Sequence, residues 1–161
     1  MSDGVKVLGW WRRELADRNA GRARALAARL RHAGPVDALA ERAVQDLARD
    51  LGLSSAGAAA RLSRLVRLLA EVREHTPVPL ARRLGGRDPV MSALRFQRLM
   101  RADEDELTDA MRRAIILADR TCNVAALAGD LMYWGDRTKT RWCFDYYGEA
   151  APDTNLSEAE A

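Results

Sequence analysis

The chain has 161 residues, of which 48% are hydrophobic and 30% are charged, and its formal net charge is +3. This size fits one domain, or two small lobes that share a core. No apolar run approaches the ~18–20 residues that span a bilayer, and the first residues lack a signal-peptide pattern. We therefore expect no membrane partner. Cys122 and Cys143 lack metal-ligand spacing, which predicts reduced thiols in a cytoplasmic protein.

The positive charge is unevenly distributed along the chain. Residues 1–101 hold 20 of the 26 Lys and Arg residues and 10 of the 23 Asp and Glu residues, a balance of +10, whereas residues 102–161 have a balance of −7. All the basic residues except Lys6 and Lys139 are arginine. Arginine binds phosphate through a planar fork of donors, so this pattern favours nucleic-acid binding. A GC-rich genome would produce the same bias toward arginine.

The composition predicts an all-α bundle of about eight helices in two lobes, because Ala, Leu, Arg and Glu dominate and no alternating run indicates a strand. The first four helices are predicted at residues 5–17, 21–32, 36–51 and 57–74, which form an N-terminal lobe at 1–75. The fourth is amphipathic, and its polar face is typical of solvated surface. That face carries Arg64, Arg67, Glu71 and Glu74.

Proline and glycine interrupt the helical pattern at residues 76–89, which are predicted to be a linker between the lobes. Four shorter helices are predicted beyond it, in a C-terminal lobe at 90–148. Their ranges are 90–101, 104–119, 123–134 and 136–147. Residues 149–161 are acidic and polar, and we expect this tail to be disordered.

The helix predicted at 90–101 separates its side chains into two faces. Phe96, Leu99 and Met100 cover one arc, and arginines at three-residue intervals cover the other. Like charges at this spacing repel one another unless an anion lies across them, which indicates a phosphate contact. Arg112 and Arg113, on the outer side of the next helix, extend the predicted basic ridge. The candidate residues of this ridge are Arg95, Arg98, Arg101, Arg112 and Arg113. The alternative is a solvated face paired with nearby carboxylates.

A second basic cluster lies among aromatic residues near the end of the chain. Arg137 and Arg141 are its candidate nucleic-acid-binding residues. The neighbouring Trp134 and Trp142 fit a base-stacking platform, but their helical spacing is more typical of the core of a small lobe.

The sequence offers little for catalysis. His32 and His75 have no carboxylate or cysteine at metal-ligand spacing, and no glycine-rich loop has the form that binds nucleotide phosphates. The acidic run at 103–106 could hold a cation, but at a helix start the macrodipole explains it better. We therefore expect no enzyme, no catalytic residue, no metal, no cofactor and no small-molecule substrate.

The C-terminal half resembles the CasB family, the small subunit of the type I-E CRISPR surveillance complex Cascade. The resemblance spans about residues 90–147, in the family's order, and the N-terminal half fits less closely. The segments that carry it are LRFQRLMRA at 94–102, MRRA at 111–114, Asn123, residues 127–128 and 130–131, WGDR at 134–137, residues 141–142 and DYY at 145–147.

The resemblance implies a two-lobed, all-helical protein without catalytic activity. It further implies a head-to-tail pair of copies that bridges the backbone and large subunits of Cascade and contacts the crRNA, the target DNA and the displaced strand. The matching basic positions are the five of the predicted ridge together with Arg137 and Arg141.

Three functional hypotheses remain open at this point. The first is a set of sequence-independent phosphate contacts that stabilise the R-loop, and the second is a pure protein scaffold whose arginines pair with acidic subunits. The third is a helix-turn-helix DNA-binding regulator, although no convincing recognition helix is present.

Overall fold

The computed structural model describes residues 1–148, and within that range it contains ten helices and one two-stranded sheet. This confirms the predicted all-α class. The helices are α1 Asp3–Glu14, α2 Gly21–His32, α3 Pro35–Leu39, α4 Arg42–Leu51, α5 Ala56–Leu69, α6 Leu80–Leu84, α7 Ala93–Arg101, α8 Glu104–Leu117, α9 Val124–Met132 and α10 Asp136–Tyr146. The strands are β1 Glu74–His75 and β2 Thr121–Cys122.

The prediction of one helix at 36–51 is wrong, because the chain turns between α3 and α4. Glu41 adopts an extended conformation at the start of α4 and is held by Arg29, whose Nε lies 2.7 Å from its carboxylate. The side-chain amide of Gln45 donates to the carbonyl of Leu39 at 2.7 Å. The turn allows Ala38 on one helix and Val44 on the next to be buried together in the core.

Two short segments form strands, for which the sequence shows no alternating run. β1 and β2 pair in parallel, with Glu74 opposite Thr121 and His75 opposite Cys122. The backbone N–H of Arg73 donates to the carbonyl of Arg120, which draws the chain out of the helix predicted to continue to residue 74. Two-residue strands are too short to show an alternating pattern, so the sequence gives no sign of them.

One continuous cluster of buried apolar side chains runs through the described residues. The most extensive contact between two helices is that of α1 with α9, which are distant in sequence. A Cβ added at Gly4 would lie 2.5 Å from the carbonyl oxygen of Ala125, so a side chain there would prevent the close approach of these helices. Trp10, which is buried, donates its indole N–H to the carbonyl of Ala43 at 2.9 Å and so links α1 to α4.

The predicted linker at 76–89 contains α6, whose Leu80, Ala81 and Leu84 are buried in that same core. The Arg83 guanidinium donates to the carbonyl of Ala118 at 3.1 Å, and this bond ties the segment to the end of α8. The division into two lobes at this segment stays a prediction. The predicted disordered tail at 149–161 lies outside the described residues.

None of the helices within residues 1–148 has the length and apolar character needed to cross a membrane.

We predict that Gly85→Ala destabilises the fold by about 3 kcal/mol, since overpacking against backbone forces the chain to shift. The added Cβ would lie 1.8 Å from the carbonyl oxygen of Tyr146, at the point where Gly86 N–H donates to that oxygen. Thermal unfolding should show a melting temperature lower by roughly 6–12 °C.

The matched control is Gly129→Ala, in the middle of α9, where nothing lies within 4 Å of the added Cβ. This variant should be more stable by about 0.5–1 kcal/mol, because alanine favours a helix interior. Equal melting temperatures for the two variants would contradict the close approach at Gly85.

Candidate functional site

Helix α7 presents its arginines to solvent because of how it begins and what it buries. The Ser92 hydroxyl accepts the backbone N–H of Arg95 at 3.2 Å and caps the first turn. Phe96 and Leu99 point into the core. The three arginines of the predicted ridge that lie on this helix are exposed: Arg95, Arg98 and Arg101.

A surface groove of about 350 Å³ lies between α7 and α8. Arg95, Arg98 and Arg113 line it. The apolar side chains beside them are Met91, Leu99, Ala110 and Leu117. An adjoining hollow of about 390 Å³ shares Arg98 and Arg113, adds Arg101, and includes Glu106 and Asp109 in its wall. We call the four residues Arg95, Arg98, Arg101 and Arg113, with the apolar residues between them, the arginine groove.

Within residues 1–148, none of the four arginines of the groove makes an ion pair, and the same holds for Arg137. Four exposed cations thus lie around two adjoining depressions without an ion pair to a carboxylate of the described residues, although Glu106 and Asp109 line the depression that contains Arg101. Such an arrangement is favourable for an anion, because a bound phosphate relieves the repulsion between the guanidinium groups.

Arg112, although adjacent to Arg113, does not line the arginine groove. Its guanidinium lies 3.7 Å from a carboxylate oxygen of Glu71, in the turn that follows α5, and 3.7 Å from a carboxylate oxygen of Asp109 on its own helix. Consecutive residues of a helix point about 100° apart, which explains why these neighbours have different surroundings. The structure therefore brings together four of the five ridge residues.

The helix predicted at 57–74 was expected to have a solvated polar face, and this prediction is wrong at Glu71. Its carboxylate is buried and binds Arg120 directly, in addition to Arg112. Arg120 and the preceding Asp119 have positive φ angles of 56° and 55°, and this turn leads into β2. An acid immediately between Ala70 and Val72, in an otherwise apolar run, was the available signal of burial.

The prediction of solvated surface is also wrong for Arg64 and Arg67, which are partly buried in a second arginine cluster at the contact between α5 and α8. Burial first, and then the charges of Arg112 and Arg64, hold the pKa of Arg67 below its usual value. A guanidinium nitrogen of Arg64 lies 3.7 Å from a carboxylate oxygen of Glu104, and the Arg64 side chain is largely buried. Arg61, Arg64 and Arg67 have the same three-residue spacing as the arginines of α7, and this spacing could have identified them.

Arg137 and Arg141, the two candidate residues on α10, lie outside the arginine groove. Arg137 is exposed on the first turn. Arg141 binds Asp130 and lines a separate groove of about 470 Å³ beside the start of α1 and α9. Asp130 also accepts the indole N–H of Trp142 at 2.8 Å.

Trp142 is buried, and its ring meets Trp134 edge to face at 5.1 Å between centroids. The interpretation as a core residue is confirmed for Trp142, whose buried indole cannot stack on a base, whereas Trp134 is partly buried and packs against the core.

Residues 1–148 contain no group of three or more His, Cys, Asp and Glu side chains placed to hold a metal ion. Both cysteines are free thiols, and burial raises the pKa of Cys122 to about 12. His75 accepts the backbone N–H of Val124 at 3.1 Å through Nδ1. Burial, and then the charge of Arg12, lowers the pKa of His75. At neutral pH its ring nitrogen therefore accepts a hydrogen bond from the first residue of α9.

The family model described as CRISPR-associated protein Cse2 matches residues 11–147, which include every helix that forms the arginine groove. The chain belongs to the Cse2 family. This family is the small subunit of type I-E Cascade, also called CasB, so the predicted resemblance is confirmed and extends well into the N-terminal half.

Membership makes this Cse2-family chain a subunit of a CRISPR complex that also contains other subunits, in a family whose role there is structural. Comparison with curated proteins and with solved structures gives no match for the chain.

Arg112 and Arg113 should respond differently to charge reversal. We predict that Arg112→Glu destabilises the Cse2-family chain by about 3 kcal/mol, because it places a third carboxylate next to the buried Glu71 and Asp109. Arg113→Glu should change the free energy of unfolding by less than about 0.5 kcal/mol, since its side chain is exposed and makes no ion pair within residues 1–148.

Urea unfolding of the two variants, followed by circular dichroism, measures this difference. Similar losses of stability in both would show that Arg112 is not held by the carboxylate of Glu71.

Proposed function

We propose that this chain makes sequence-independent contacts with nucleic-acid phosphates in Cascade, and that these contacts stabilise the R-loop and its displaced strand. The arginine groove is the observation that carries the proposal. Arg95, Arg98, Arg101 and Arg113 are its main residues, and Arg137 is an additional contact on α10. Arg112 and Arg141 contribute less, because Glu71 and Asp130 already neutralise them.

The energetics of R-loop formation support a role for so few contacts. Exchange of a DNA duplex for a guide–target heteroduplex is nearly balanced in free energy, so modest stabilisation of the open form shifts the equilibrium. Neutralising Z phosphates of a single strand gives a salt slope near −0.7Z, and four arginines correspond to a slope of about −3. Phosphate contacts carry no base information, which fits a complex in which the guide reads the sequence.

The proposed partners are the crRNA, the target DNA including the displaced strand, the backbone and large subunits, and a second copy of this chain. The proposed location is the cytoplasm. Stabilisation of an R-loop requires binding and no chemistry, so the proposal includes no catalytic residue, metal or cofactor.

The test is triple charge reversal in the assembled complex. We predict that Arg95→Glu, Arg98→Glu and Arg113→Glu together weaken binding to every target sequence and reduce the magnitude of the salt slope by about 2, because three phosphate contacts are lost. Affinity for several unrelated targets, measured between 50 and 300 mM salt, gives both quantities. Arg112 stays unchanged so that the fold is preserved.

The matched control reverses Arg13, Arg24 and Arg87, which are also exposed and make no ion pair within residues 1–148, but lie on α1, on α2 and after α6. It changes the net charge equally and should leave the salt slope unaltered. A variant that assembles and binds with unchanged affinity and slope would defeat the phosphate role. Loss of the triple variant from the purified complex would instead support the pure scaffold, in which the arginines bind acidic subunits. Preference for one DNA sequence would support the helix-turn-helix alternative.

A further inference from the structure

Four arginines from separate parts of the sequence meet beside the end of α5. Arg18 lies between α1 and α2, Arg31 lies on α2, and the other two, Arg73 and Arg120, precede β1 and β2. Burial, and then the charges of the other three, hold the pKa of Arg18 below its usual value, which reflects how close these guanidinium groups are. We call the four residues the arginine junction. It shares no residue with the arginine groove.

Hydrogen bonds and an ion pair fix two of the junction arginines. The Arg18 guanidinium donates to the carbonyls of Ala70 and Val72, at 2.9 and 3.2 Å. These carbonyls follow the last turn of α5, where unpaired backbone oxygens attract a cation. Arg120 binds the carboxylate of Glu71, the residue between them. The fold therefore holds these two guanidinium groups in place before any ligand arrives.

The other two junction arginines, Arg31 and Arg73, make no ion pair within residues 1–148. The side chain of Arg73 is exposed and that of Arg31 is partly exposed. The backbone N–H of Arg73 donates to the carbonyl of Arg120 at 2.7 Å, which places the two residues side by side. The described part of the fold thus leaves the charges of Arg31 and Arg73 without a counter-ion.

Positive charge is in excess at the junction. In the described part of the chain, Glu71 is the one carboxylate among the charges that act on Arg18, and it already binds both Arg120 and Arg112. Four arginines around one carboxylate leave an excess of three positive charges. Like charges at close range are unfavourable unless an anion lies between them. A phosphate group suits this position, because it accepts hydrogen bonds from several guanidinium groups at once.

We propose that the arginine junction is a second phosphate-binding site of this chain, and that it binds the backbone of a nucleic-acid strand independently of the arginine groove. Arg31 and Arg73 pair with the phosphate, while Arg18 and Arg120 add their fixed charges. Phosphate binding at the junction does not rest on the function proposed above, whereas the assignment of the strand to the R-loop does.

A strand fits the junction better than a free phosphate ion. Contacts between exposed ionic groups are weak individually, so a single phosphate gains little from them. A strand presents several phosphates in a row and releases counterions at each contact, which increases its affinity. Two separate sites allow one chain to hold two stretches of nucleic acid at the same time. In an R-loop this would keep the open strands apart and hinder their re-annealing.

NMR of the full chain tests the site. At 50 mM salt, the side-chain Nε signals of Arg31 and Arg73 should shift on addition of a 12-nucleotide oligo-dT. Half of the shift should need about tenfold less total phosphate than with inorganic phosphate, because neighbouring contacts add to the affinity. Arg13 and Arg87, which are exposed and make no ion pair within residues 1–148, are the internal reference.

Two results of this titration would overturn the proposal. Signals of Arg31 and Arg73 that shift no more than those of Arg13 and Arg87 would show that the junction binds no phosphate. Equal responses to inorganic phosphate and to the oligonucleotide, at the same total phosphate, would show that the ligand is a small phosphate compound and not a strand.

The double variant Arg31→Gln and Arg73→Gln removes the two free charges and keeps the contacts of Arg18 and Arg120. The Nε signals of these two should then need about fivefold more oligonucleotide for half of their shift, since two weak ion pairs are lost. The control with Arg13→Gln and Arg87→Gln should respond as the unchanged chain does. An equal response of both variants would show that Arg31 and Arg73 do not bind the strand.

The stability of the same double variant shows whether the fold needs these charges. Its melting temperature should not fall, because the substitutions remove two cations from a group of like charges. A fall of more than about 4 °C, which corresponds to roughly 1 kcal/mol for a chain of this size, would show that both side chains are engaged within the fold and would overturn their role as ligand-binding residues.

Reversal of Arg95, Arg98 and Arg113 to Glu separates the two sites. In this variant the junction signals should respond to the oligonucleotide as in the unchanged chain, because the junction contains none of the three. Loss of their response would overturn the independence of the sites. If the junction signals respond in the unchanged chain and those of the groove arginines do not, the phosphate role proposed for the groove fails, whereas the junction stands as a site of its own.

Discussion

The buried carboxylate of Glu71 is the interaction on which the arrangement of the two halves depends. It lies in the turn that follows α5 and binds Arg120, in the turn before β2, and Arg112 on α8. A buried carboxylate without a partner is strongly unfavourable, so α8 and this turn have to stay where their guanidinium groups reach it. The parallel pairing of β1 with β2 forms in the same place and secures the backbone that follows Glu71.

The orientation of α8 that results determines which arginines are available for binding. With Arg112 directed at Glu71, the next residue, Arg113, is directed into the groove beside α7. Two adjacent arginines thus have different tasks, one within the fold and one at the surface. A basic cluster in a sequence can therefore combine arginines that are paired within the fold with arginines that are free to bind a ligand. The positions of the acidic side chains in the structure distinguish the two kinds.

Much of the fold was accessible from the sequence, because helical periodicity and composition act locally. The second helix was predicted at residues 21–32, and α2 spans Gly21–His32. The break between α3 and α4 was not accessible, since it depends on Arg29 from another helix holding Glu41. The exposed face of α7 followed from the positions of Phe96 and Leu99. The ion pairs of Arg112 and Arg141 could not be predicted in this way, because Glu71 and Asp130 are distant from them in sequence.

The packing of α1 against α9 has a consequence for how the protein is made. A ribosome that adds about 5–20 residues per second needs on the order of 5–20 s to proceed from the end of α1 to the start of α9. During that interval the apolar side of the first helix, including Val7 and Trp11, lacks its principal neighbour. The nascent chain therefore cannot bury this apolar side against α9 until most of the protein has been synthesised.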